Sequence, residues 1–122
     1  MKNEFQRPAT ELSLPVVAQT KSGDPVRVGV VNGVAATDRD GGGNPSGCAT
    51  VVTDARSYTY EVAGAIAGPF TPVYLVPRSG ATAPILQTTA SGAIWGYTVP
   101  KVGETGVRTA TSGVAVVRPA QV

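Results

Sequence analysis

The chain has 122 residues, 42% of them hydrophobic and 15% charged, which suits one compact domain and leaves no room for a second independent core. It contains no His and one Cys, which excludes nucleophile–imidazole catalysis, His-containing metal sites and internal disulfides. Ten Lys and Arg against eight Asp and Glu leave a net charge of +2, with the positive residues spread singly rather than clustered for phosphate binding.

Nineteen Val and 16 Ala stand against four Leu, and 14 Thr add to the β-branched content. Such side chains have restricted χ1 freedom and suit a pleated surface. Fifteen Gly and ten Pro fall between short apolar runs and break any helical period. The pattern predicts an all-β fold, a small single-domain β-barrel or sandwich of about eight short strands.

In chain order, residues 1–14 are polar and mixed, with Phe5, Leu12 and Leu14 as their large apolar side chains. They read as an extended N-terminal arm ahead of a β domain spanning 15–122. The arm has no signal-peptide pattern, and no stretch of the chain reaches the roughly 20 apolar residues of a membrane-spanning helix. An arm of this kind can add main-chain hydrogen bonds to a sheet edge and seat alternate side chains, so Phe5, Leu12 and Leu14 are its expected anchors.

Ser22-Gly23-Asp24-Pro25 is a turn: Gly permits positive φ, Asp bonds local backbone and Pro fixes φ. A strand over Val26–Val30 follows, and Asn32-Gly33, a strong two-residue hairpin signal, is expected to return the chain through Val34–Ala36. Residues 38–47 carry Asp38, Asp40 and a glycine run but no side chains able to fill a core, so they read as an exposed and disordered loop. Further strands are expected over Cys48–Thr53, Ser57–Ala63, Pro72–Val76, Ile85–Thr89, Ala93–Val99 and Gly113–Arg118. Gly64–Gly68 forms a small-residue corner between two of them, and Gly103–Thr111 another loop.

Several motifs fail on inspection. The glycine run lacks the Lys and Ser or Thr of a phosphate loop, having Cys48 and Ala49 after Gly47. Asp38 and Asp40 open a calcium-loop spacing whose twelfth position, Ala49, cannot supply the bidentate carboxylate. No carboxylate pair is nominated for glycoside hydrolysis. Cys48 has no His to ionise it and reads as a small packed residue in a reducing compartment. Catalytic groups, metals and cofactors are therefore not expected. Trp95, Tyr97 and Tyr74 are the aromatic candidates for a contact surface. Trp95-Gly96-Tyr97 is expected to place both aromatics on one strand face, filling a small core or an intersubunit contact, with a ligand platform as the competing use.

The order of these pieces resembles a family of small tailed-phage head proteins, the predicted capsid decoration (cement) proteins. The resemblance runs over about Leu14 to Val117. It consists of the turn Ser22-Gly23-Asp24-Pro25-Val26 leading to Val28-Gly29, then Gly33-Val34-Ala35, a middle strand ending in a Gly/Ala-rich corner, Pro72-Val73-Tyr74, Trp95-Gly96-Tyr97, and the closing Gly113–Arg118. The 41–47 glycine loop and Thr71, where the family usually has Gly, are departures. The resemblance implies a non-enzymatic protein made in the host cytoplasm and carried on the exterior of the virion. There it would sit as a homotrimer and tie major capsid protein subunits together, with no nucleic-acid or membrane partner. A β-barrel module that binds a cell-surface glycan through the aromatics is the alternative.

Overall fold

The computed structural model describes residues 11–53, 56–90, 92–100 and 103–120. Within them the fold is all-β, with nine strands in two sheets. A four-stranded antiparallel sheet has the order β1-β4-β3-β2, formed by β1 (Glu11–Pro15), β2 (Pro25–Val28), β3 (Val31–Ala35) and β4 (Cys48–Val52). A closed five-stranded barrel has the order β5-β7-β6-β8-β9, from β5 (Tyr58–Ala63), β6 (Pro72–Val76), β7 (Ile85–Gln87), β8 (Ile94–Thr98) and β9 (Ser112–Pro119). Closure comes from β9, which lies antiparallel to β5 from Tyr58↔Val117 to Ala63↔Ser112.

Alternation decides which residues meet inside. Along β5, Tyr58, Tyr60 and Val62 turn inward while Thr59, Glu61 and Ala63 are exposed, as the period-2 pattern requires. The barrel core is Val62, Val73, Leu86, Trp95 and Val117, joined by Val34 from the sheet, which is how the two units share one interior. Trp95 is fully buried, its ring edge-on to Tyr60 at 6.0 Å and its Nε1–H donating to the Val26 carbonyl at 2.9 Å. A second, smaller cluster of Val26, Ala35 and Val51 is covered by Leu14 and Val16.

Four expectations change. The arm does not extend to residue 14. Glu11–Pro15 form edge strand β1, paired with β4 from Glu11↔Val52 to Pro15↔Cys48, because Leu12 and Leu14 find apolar partners opposite Val51 and Ala49. This strand raises eight to nine. The hairpin is present but turns at Gly29-Val30, where Gly29 takes φ +62° at the first central position, the sign a type II′ turn demands. Asn32 and Gly33 lie inside β3 opposite Arg27 and Val26. Gly33 is there for proximity: a Cβ would sit 2.6 Å from the Val52 carbonyl oxygen and 2.7 Å from Val51 Cγ1.

The 38–47 loop is exposed in part yet held by hydrogen bonds. Asp38 accepts from the Ser22 N–H at 2.8 Å, Asp40 from the Gly47 N–H, and the Asn44 amide donates to the Gly41 carbonyl at 2.7 Å. Asn44 also donates to the hydroxyls of Thr37 and Thr50 at 3.2 and 3.1 Å. Acidic and amide side chains that bond local backbone do the work that core packing could not. Finally, Trp95 and Tyr97 do not share a face. Tyr74 pairs with Ile94 but Val73 pairs with Gly96, so Trp95 is an extra residue in β8 and the alternation is reset across this bulge.

Candidate functional site

The expected contact residues fall in three places. Phe5 lies outside the described residues. Leu12 and Leu14 belong to β1, where Leu12 keeps 36% of its surface exposed and Leu14 packs against the smaller cluster. Trp95 sits in the barrel core with no surface to offer a partner or a sugar ring, which removes it from the intersubunit contact and from any aromatic platform. Tyr74 and Tyr97 remain half-buried: Tyr97 lies opposite Pro72, two residues from Tyr74, so both occupy the barrel's outer surface on either side of inward-facing Val73. Cys48 is half-buried at the start of β4.

One open groove lies where the sequence singled out no site. This groove of about 310 Å³ runs beside β9, walled by Ile66, Val99, Pro100, Val107, Val114 and Val116, with Glu104 and Arg108 its charged residues. Val114 is 62% exposed and Val107 55%. Gly106 lies against Pro69: a Cβ there would be 3.1 Å from the Pro69 nitrogen. Phe70 is 59% exposed and holds φ +59°, a left-handed conformation that costs a bulky residue roughly 1–2 kcal/mol. Its backbone is fixed there by the Phe70 N–H donating to the Thr98 carbonyl at 2.9 Å and the Thr71 N–H to Thr98 Oγ1 at 3.0 Å.

Arg108 anchors the far wall. Its N–H and carbonyl exchange hydrogen bonds with Ile66 at 2.7 and 2.8 Å, and its guanidinium donates to the carbonyls of Gly113 and Val62, each at 2.7 Å, and of Gly64. The fork of Nη donors is thus committed to backbone, so Arg108 shapes the groove rather than reaching for an anion. A single Arg in a predicted loop carries no sequence signal for this; only the meeting of the 64–68 corner with the 103–111 segment reveals it.

Between sheet and barrel, Asp24 accepts from Arg78 Nε at 2.8 Å and from the Lys21 N–H at 2.9 Å, and the hydrogen bond that Arg78 donates to Asp24 raises the Arg78 pKa. Burial pushes the Tyr60 phenol above its ordinary range, with Tyr58 and Asp24 adding to the effect, while its O–H donates to the Gly23 carbonyl at 2.5 Å. These contacts fix the two sheets around a small cavity of about 50 Å³, and a wider recess of about 380 Å³ opens between them where Ser22, Val34, Ala36 and Val52 of the sheet side face Tyr58 and Tyr60 of β5. Among the described residues no cluster of three His, Cys, Asp or Glu is placed to hold a metal.

Compared with known proteins, the chain matches no family model, no curated protein and no solved structure.

Proposed function

We propose that this protein is a structural decoration protein that binds the outer surface of an assembled phage head and links neighbouring major capsid subunits. The observation that carries the reading is the groove beside β9, where the exposed apolar side chains of Val107 and Val114 stand together with Val99, Pro100 and Val116 on a closed barrel. Contiguous apolar exposure of this kind fits a protein contact. The order of sequence motifs described above supplies the class of partner. Cementing is then a matter of linkage: a protein that binds the mature lattice stabilises each site by RT ln(1 + [L]/Kd), about 4 kcal/mol at a thousandfold excess over Kd.

The test is co-sedimentation of the purified protein with bare expanded heads of the cognate major capsid protein, followed by melting of the heads. Saturable binding and a raised melting temperature are expected, both reduced by Val107→Asp and Val114→Asp. Because β1 belongs to the fold, a truncation that tests the arm ends at residue 10 and not at 14. Heads that remain bare at saturating protein would defeat the proposal. The glycan reading loses Trp95, which is buried, and keeps Tyr74 and Tyr97 on the outer surface; saturable binding on a glycan array would favour it over the capsid reading.

A further inference from the structure

Every barrel strand has a neighbour on each side, so among the described residues the strands with one side wholly unpaired are those at the ends of the four-stranded sheet. That sheet ends in β2 and β1. The β2 edge is blunted: Pro25 has no N–H to give, and Leu75, Pro77 and Arg78 crowd beside the strand, Arg78 tied to Asp24. The β1 edge has no such cover from the described residues, and four of its five residues are exposed.

The hydrogen-bond phase of β1 follows from its neighbours. The Val16 N–H donates to the Gly47 carbonyl at 3.1 Å, continuing the register Pro15↔Cys48. Bonded and non-bonded pairs alternate in an antiparallel ladder, so Leu12 and Leu14 direct their backbone groups at β4. Glu11, Ser13 and Pro15 direct theirs outward. Pro15, with no N–H, therefore sits on the free side, where the missing donor costs the sheet nothing.

We propose that β1 pairs antiparallel with β1 of a second copy of this chain about a two-fold axis at Ser13. In this register all five residues overlap. The two Ser13 residues exchange N–H···O bonds, and each Glu11 N–H donates to the carbonyl of the partner's Pro15, the residue that brings no donor of its own. Leu12 lies opposite the partner's Leu14 on the face that carries Val51 and Ala49, which covers the exposed part of Leu12. The two Glu11 carboxylates stand at opposite ends, about 13 Å apart at the strand rise per residue. A single free edge selects a two-fold contact, because strand addition around a ring would need a second, different edge on each copy.

Sedimentation velocity on the full chain tests this, from low micromolar to about 100 μM. A concentration-dependent species of twice 12.4 kDa is expected. Ser13→Pro deletes an outward N–H and leaves the β4 ladder intact; Leu12→Lys places a charge where the second strand would lie. Each should weaken self-association by at least about tenfold; the melting temperature of dilute protein stays unchanged in Ser13→Pro and falls modestly in Leu12→Lys, which also loses its contact opposite Val51. If either variant misfolds, amide exchange decides in the unaltered chain, with Ser13 becoming protected as concentration rises. A protein that remains at 12.4 kDa across the range, or a dimer that survives both substitutions, would overturn the pairing. The contact does not depend on head binding: a monomer that decorates heads refutes this inference alone, and a dimer that ignores heads refutes only the capsid reading.

Discussion

The side-chain amide of Asn32, on the four-stranded sheet and 1% exposed, donates to the main-chain carbonyl of Ala120, just beyond the last barrel strand, at 2.8 Å. The same Nδ2 donates to the Ile94 carbonyl at 3.2 Å, and Oδ1 accepts from Arg27 Nη1 at 2.9 Å. One buried polar group thus links β3 to two barrel segments far away in sequence. Asn32→Ala takes the side-chain donor from the buried Ala120 carbonyl and one of two donors from the Ile94 carbonyl, leaving Arg27 only its longer bond to Ile94 at 3.4 Å, and is expected to cost about 2 kcal/mol in urea unfolding, above the typical surface change. A loss below about 1 kcal/mol would show that water replaces the link.

Two glycines give a matched comparison. Gly33→Ala drives a methyl group into the Val52 carbonyl oxygen, and neither β3 nor β4 can move without breaking the ladder. The expected penalty is about 2 kcal/mol or more. At Gly68 there is open space and no positive φ, so Gly68→Ala should stay within about 0.5 kcal/mol. Similar melting temperatures for the two variants would contradict the close approach.

Arg108→Lys keeps the charge and loses the planar fork that reaches Val62, Gly64 and Gly113 together. The expected cost is about 2 kcal/mol, localised around the groove. Hydrogen exchange reads this directly: the Ile66 N–H, which donates to the Arg108 carbonyl, should exchange faster in the variant, while amides of β3 should not change. Uniform acceleration along the chain would mean global destabilisation instead.

Tyr60 sets an alkaline limit. Its phenol is raised from an ordinary value of 10.0, so above that pH an unfolded chain releases the proton while the folded chain retains it. The folded state then binds more protons than the unfolded state, and stability falls as pH rises. The contribution is complete below pH 10 and is lost progressively on going above it. Denaturant titrations at pH 8 to 11 should show a decline that is shallower in Tyr60→Phe. Parallel curves for the two proteins would assign the alkaline loss to other groups.

The all-β class, most strand positions and the inward face of β5 were legible in composition and alternation, because period-2 burial is a local property of the chain. Pro72–Val76 is the same in pattern and in structure. Asn32-Gly33 shows where local reading stops: the dipeptide suits a type I′ turn, yet Asn32 supplies a buried inter-sheet link and Gly33 a close strand contact. Trp95 shows it again, since a one-residue bulge decided by the pairing of β8 with β6 reversed its relation to Tyr97.

The amino-acid sequence by itself determined that this is a chain of short strands, without His and with no clustered charge, because residue type, turn chemistry and alternation act within a few positions. Only the tertiary structure decided which strands closed into a barrel, that residues 11–15 joined the sheet as an edge, and that Val107 and Val114 came to line one groove. Those outcomes depend on contacts between segments 30 to 90 residues apart, such as Asn32 with Ala120 and Val62 with Arg108, whose partners no local pattern specifies.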